Sequence, residues 1–367
     1  MKKFYSFLFA AVALVGFAAC NSDSTEEPAP AQKENVGKME FMANIGEETK
    51  TQLTEGKKVK WCAEDAIAVS NGTDVEKYTI KEGSLSADGK TAIFEGKVLE
   101  GDTYYAVYPW TEDAAYTDGT WNVTEPQKQT AVAGSFADGA AVSYGTYQGE
   151  GKFSFTNESA ILKFLVPEDC SFVQFYNGSE LAVELDGELK AGETYYAAVA
   201  PGQYTFTVRI DAYLSKKSKK VLDLEKNTIY NIKTLPAPEE CEWGLVGQHQ
   251  NWSLTNANLT RLYKEADNLF VVKNIKLVNT GFKFTELTNT NWNLTFGSHS
   301  SSYVYSVTDG WYKGIYTNNR GDKDQDIKVS DWNKTYDVYL RYVQSADWGK
   351  ELGFAIVEAG QAYPELN

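Results

Sequence analysis

Three tandem β-sandwiches in an all-β chain are what this sequence predicts, on three observations. Aromatic residues reach 14 %, with 23 Tyr and 9 Trp, and β-branched residues are common; both classes suit a pleated, half-buried surface. Long Ala/Leu/Glu/Lys windows, which would read as helices, are absent. Short alternating runs recur between turn residues at roughly ten-residue spacing, the rhythm of a sandwich. The 367 residues suffice for two or three domains.

The segment ahead of these runs predicts export. "MKK" is a basic start, "FYSFLFAAVALVGFAA" is an apolar stretch, and Cys20 follows. "LVGFAAC" resembles a bacterial lipobox, which implies removal of residues 1–19 and lipidation of Cys20. Two or three acyl chains would anchor the chain stably, since each buried methylene contributes about 0.8 kcal/mol. Residues 20–38 are the lipidated Cys and a polar, acidic, Pro-containing tether. Acid just after the Cys resembles the surface-export signal of Bacteroidota lipoproteins. The expected location is the outer membrane, lipid-anchored and facing outward.

The first domain is expected over 39–150. "KKVKWCAEDAIAVSNG" reads as strand, turn and strand ending at Asn71-Gly72, and "KYTIKEG", "TAIFEGKV" and "DTYYAVYPW" follow. "GDTYYAVYPW" (101–110) is echoed by "GETYYAAVAPG" (192–202), which points to a repeated structural unit. Each Pro belongs at a strand end or edge, because it lacks a ladder donor. The second domain, 151–235, runs from "FSFTNESAILKFLVP" through "QYTFTVRI" to "KNTIYNIKTL".

"KTQLTEGKKVKWCAEDAIAV", "TYYAVYP", "NESAILKFLV" and "AGETYYAAVAPGQYTF" together resemble fimbrillin-type proteins over about 39–235. Glu64-Asp65 stands where that family carries Gly-Asp. The resemblance implies a lipoprotein with two transthyretin-like β-sandwiches. Polymerisation by strand donation is not expected. In the best-known fimbrillins it needs cleavage after an Arg, and the only Arg here are Arg209, Arg261, Arg320 and Arg341.

"LPAPEE" (235–240) is a stiff acidic connector, after which six of the nine Trp are found. The third sandwich is expected over 240–367. Its order "WG(L)VG…NW…L…F.V..I.L…FKF……NW…FG" resembles the starch-utilisation outer-membrane lipoproteins of the SusE/SusF type. That implies a carbohydrate-binding domain with no catalytic activity, whose ligand need not be starch. The residues point the same way. A sugar ring has an apolar C–H face and a polar rim, so exposed indoles beside amides and cations make a fitting surface.

Residues 291–314 supply that mixture, and the expected glycan-binding residues are Trp252, Trp292, Trp311, Tyr312, Lys283, Asn291 and Lys313. Trp252 lies in a polar loop, where it would either cap the sandwich or form a platform. Trp292 is expected in a strand. Trp311 and Tyr312 follow an Asp-Gly turn and must point to opposite faces. Lys283, between Phe282 and Phe284, faces away from them. Trp243, Trp332 and Trp348 are expected to pack, and His249 to hydrogen-bond within a loop.

Other chemistries are poorly served. A net charge of −15 argues against nucleic acid. Two His, His249 and His299, leave little for His-based catalysis or metal binding. Cys62, Cys170 and Cys241 form no CxxC and read as buried thiols. "RGD" at 320–322 and the acids of "DKDQD" at 322–326 are too short to carry a function. No motif selects a hydrolytic carboxylate pair. No enzyme activity, catalytic residue, cofactor or metal is expected. The expected function is glycan capture, α-glucan among the candidate ligands, with an uptake complex as partner. The alternative is a fimbrial tip or anchor subunit, or an adhesin without a sugar ligand, which would partner fimbrial subunits.

Overall fold

Alternation along the strands decides the inside of each module, and the first module shows it plainly. Phe41 and Ala43 alternate with Met42, and Ala92 and Phe94 alternate with Ile93 and Glu95. In this computed structural model the described residues are 37–45, 60–278, 281–289, 292, 295–298, 304–305, 310–313, 315–316, 324–345 and 349–365. The expected signal peptide, the lipidated Cys20, most of the tether and the RGD tripeptide lie outside them. The fold is all-β. Among the described residues there is no α-helix, only two single 3-10 turns, Gln248–Gln250 and Asn256–Asn258.

The first module holds β1 (Lys38–Ile45), β2 (Ala66–Ser70), β3 (Val75–Ile80), β4 (Thr91–Lys97) and β5 (Tyr105–Tyr108), then a hairpin of β6 (Tyr116–Thr117) and β7 (Thr120–Trp121). After β8 (Lys128–Thr130) come β9 (Ser143–Tyr147) and β10 (Lys152–Asn157). Where a two-sheet sandwich was expected, the hydrogen bonds run right round: β1-β10-β9-β5-β2-β3-β4 closes into a barrel. β1 makes the closure, parallel to β10 and antiparallel to β4. Trp61 stands over Phe94, Tyr108 and Phe155 edge-on in the barrel core.

The second module holds β11 (Ala160–Leu165), β12 (Cys170–Asn177), β13 (Glu180–Leu189), β14 (Thr194–Val199), β15 (Gly202–Tyr204), β16 (Phe206–Ile210), β17 (Tyr213–Lys217), β18 (Leu222–Leu224) and β19 (Thr228–Thr234). Sheets β14-β11-β19 and β17-β16-β12-β13-β8 share one core, with Phe164, Phe175, Leu185, Tyr195 and Val208 at its centre. The chain therefore interlocks the two modules. β8, from before the expected boundary at 150, lies in the second module's sheet, parallel to β13. β10, from after that boundary, lies in the barrel. Gln129 of β8 braces the second module: its Nε2 donates to Ala198 O at 2.7 Å and its Oε1 accepts Ala198 N–H at 3.0 Å.

The third module holds β20 (Glu240–Gly247), β21 (Thr260–Ala266), β22 (Leu269–Lys276), β23 (Phe282–Glu286), β24 (Thr295–Gly297), β25 (Val304–Tyr305), β26 (Tyr312–Lys313), β27 (Ile315–Tyr316), β28 (Lys328–Val329), β29 (Thr335–Ser345) and β30 (Gly349–Glu358). One nine-stranded sheet runs β26-β30-β29-β22-β21-β20-β23-β24-β27. Its inner face packs Trp243, Leu245, Phe282, Phe284, Phe296, Tyr336 and Phe354. Trp332 packs against this core, while Trp348 lies outside the described residues. Cys170 and Cys241 are buried, Cys62 is partly exposed, and all three are free thiols. Burial pushes Cys170 up to about 12 and Cys241 up to about 11.

Candidate functional site

β20 ends at Gly247, where the backbone is so crowded that glycine is required. A Cβ on Gly247 would meet Gly281 O at 2.8 Å and Phe282 Cβ at 2.9 Å. The chain then makes its 3-10 turn and enters left-handed backbone at Asn251 (φ 59°) and Trp252 (φ 56°). Asn tolerates that region; a bulky aromatic residue rarely adopts it. The turn is held in several ways. Asn251 N–H donates to Gln248 O at 3.1 Å and Trp252 N–H to Gly247 O at 2.8 Å. The Gln250 side chain donates to Ser253 O at 2.8 Å and accepts Ser253 N–H at 2.7 Å.

His249 lies in this turn, its Nε2 3.0 Å from Thr260 Oγ1. That is the loop hydrogen bond expected of it. Its Nδ1 is buried with no partner, and burial lowers its pKa.

The second half of the site comes from the connection between β23 and β24. Leu287 N–H donates to Glu242 O at 2.8 Å, and the buried Asn289 donates through Nδ2 to Thr285 Oγ1 at 2.9 Å. Trp292 follows in this connection, not in a strand as expected; "ELTNTNWN" has too few apolar residues to alternate. Its ring is 43 % exposed. The ring centroids of Trp252 and Trp292 are 6.0 Å apart with planes at 56°. Two residues forty positions apart thus form one aromatic surface. Among the described residues, neither indole N–H has a hydrogen-bond partner.

The other expected contacts go elsewhere. Trp311 packs beside Leu269, Val271 and Tyr339. Its Nε1 donates to Pro364 O and Glu365 O, each at 3.1 Å. The Arg341 guanidinium lies 5.9 Å from its ring centre. Tyr312 turns to the opposite face and packs edge-on to Tyr305 and against Phe354. Lys283 does face away from the buried Phe282 and Phe284, but Asp324 holds its ammonium, O at 3.0 Å and Oδ1 at 3.3 Å. Thr295 Oγ1 donates to the same Asp324 Oδ1 at 3.0 Å. Lys283 thus fastens 324–327 over the sheet beside its bridges to Phe282 and Ser298. The backbone of Lys313 pairs with Gly353; its side chain, and all of Asn291, lie outside the described residues.

Among the described residues no group of three or more His, Cys, Asp or Glu is arranged to hold a metal ion. The geometry offers a tilted aromatic surface with two indole donors, which suits stacking on an apolar ring face and donating to its substituents. Asn251 and the Gln250–Ser253 lock were not anticipated, although Asn immediately before Trp is the residue that a left-handed turn would select. Scanned against protein-family models and searched against curated proteins, the chain finds no match.

Proposed function

We propose that this chain is a lipid-anchored protein of the outer membrane, facing the cell exterior, that captures a polysaccharide or oligosaccharide without transforming it. The Trp252–Trp292 pair carries the reading. Exposed indole surface with unengaged N–H groups is costly in water and well matched to a sugar, with its C–H face and hydroxyl rim. The resemblance of 240–367 to SusE/SusF-type binding domains supports the same ligand class. An exposed aromatic surface of this kind should bind weakly at a single site, on the order of 10 µM to 1 mM. Avidity within a neighbouring uptake complex would supply the rest.

Calorimetry on the chain from Asn21 onward tests this, against starch, other α-glucans, β-glucans, xylan, mannan and mucin glycans. Binding lost in Trp292→Ala, with the fold intact, supports it. A fimbrial tip or anchor subunit is the second reading, and β1 is the observation that favours it. This first strand closes the barrel between β10 and β4, with Phe41 and Ala43 fully buried. Its removal would open a two-sided slot for a donated strand. Ordered oligomers after loss of β1, without sugar binding, would favour that subunit.

A further inference from the structure

The second module carries an open cleft of about 590 Å3, well away in sequence from the tryptophan pair. Three segments wall it: Thr124–Gln127 on the way into β8, residues 177–182 across the β12–β13 turn, and residues 200–204 between β14 and β16. The walls are tied to one another. Gln127 Nε2 donates to Leu181 O at 2.7 Å. Asn177 donates through Nδ2 to Gln203 O at 3.1 Å and accepts Thr205 N–H at 3.0 Å. The Tyr204 hydroxyl donates to Ala200 O at 2.8 Å, and its ring stacks on Phe206 at 5.0 Å and 22°. A cleft braced in this way holds its shape before any ligand arrives.

Its chemistry is one-sided. Gln127, Asn177 and Tyr204 each spend one side-chain donor on the walls. Acceptors are left over. Glu125 takes the Ser159 hydroxyl on Oε1 at 2.6 Å, which leaves its other oxygen. Glu180 is exposed and has no ion-pair partner among the described residues. No Lys or Arg lines the cleft. Burial, and then the Glu125 carboxylate, push the Tyr204 phenol up, which sets that carboxylate near the ring. A ligand that carries a cation would add an ion pair to carboxylates that otherwise face water. A ligand with an ammonium group, hydroxyl donors and an apolar ring face would use every feature.

We propose that this cleft is a second binding site, which takes a protonated amino-sugar unit with its ring against Tyr204 and its ammonium towards Glu125 and Glu180. The ligand class extends the glycan reading, but the residues are separate, so each can fail alone. The test is calorimetry on the chain from Asn21 onward with a glucosamine trimer, its N-acetylated counterpart and trilysine. The glucosamine trimer should bind. Acetylation should weaken binding about threefold or more, as should Glu180→Gln, since each removes an ion pair at a solvent-exposed carboxylate. Glu180 is exposed, so this variant should fold. The glucosamine trimer should still bind the Trp292→Ala chain, in which the first site is removed. Three results would overturn the proposal: no binding of the glucosamine trimer, equal binding by Glu180→Gln and the parent chain, or trilysine binding as tightly as the sugar. Loss of neutral-glycan binding in Trp292→Ala, with no glucosamine binding in either protein, would remove this site and leave the first.

Discussion

Trp252 stands in left-handed backbone at φ 56°, and strain of that kind costs about 1–3 kcal/mol. Such strain persists where the surroundings over-determine it, here through the Gly247 crowding and the Gln250–Ser253 ring. Trp311 shows the contrasting case: the same residue type, with its N–H engaged and its ring packed. Trp311→Ala should therefore lower stability by about 2–4 kcal/mol in denaturant melts and leave sugar affinity alone. Trp292→Ala should do the reverse, shifting the melt by less than about 1 kcal/mol. The sequence showed that Trp residues cluster after 240, but not which of them are free. That depends on remote partners, such as Pro364 and Glu365 for Trp311. The tyrosine echo was legible, and the structure gives its reason. Tyr104 reaches back five residues to Leu99 O at 3.0 Å, and Tyr195 reaches back five to Lys190 N–H at 2.7 Å. Each hydroxyl pins the loop that enters its strand.

At the level of elements, β8 is the least conspicuous strand and joins two modules. Its sequence Lys-Gln-Thr has no apolar alternation, and its pairing is parallel and remote. No local pattern could reveal it, which is why a boundary at 150 looked natural. Longer strands were legible because their cores follow period two, as in Phe206, Val208 and Ile210 of β16. Gln129 carries much of the weight of β8, being 4 % exposed with both ends of its amide bonded. Gln129→Ala would leave Ala198 N–H and C=O unsatisfied in the core. The expected loss is about 2 kcal/mol by chemical denaturation, and Gln129→Glu should cost at least as much, since it buries a charge.

Across the whole molecule, the second and third modules meet through a half-buried charge cluster. Arg209, on the outward face of β16, makes a two-pronged contact with Glu265 of β21, one arm at 2.8 Å, and Lys273 adds its ammonium at 3.6 Å. Tyr213 and Tyr263 pack beside it, ring centres 4.2 Å apart. Arg209→Met would leave Glu265 with only the longer Lys273 contact, and about 1–3 kcal/mol should be lost in denaturant melts. Arg209→Met with Glu265→Leu should recover only part of that, because Lys273 then loses its carboxylate partner. Burial alone would raise the Glu265 carboxyl, but Arg209 and then Lys273 bring it below its ordinary 4.5. A lowered folded-state pKa stabilises fully above the unfolded value. The contribution should therefore fade below about pH 4.5, and stability in Arg209→Met with Glu265→Leu should depend less on acid than in the parent. Held in this way, the third module would present Trp252 and Trp292 at a fixed place relative to the second. The most direct measurement of the central claim is a glycan titration of the chain from Asn21 onward, followed by tryptophan fluorescence and calorimetry together, with Trp292→Ala and Trp311→Ala alongside. The account predicts saturable binding that Trp292→Ala abolishes and Trp311→Ala keeps. Binding that survives Trp292→Ala, or no binding to any glycan by a folded parent chain, would contradict it.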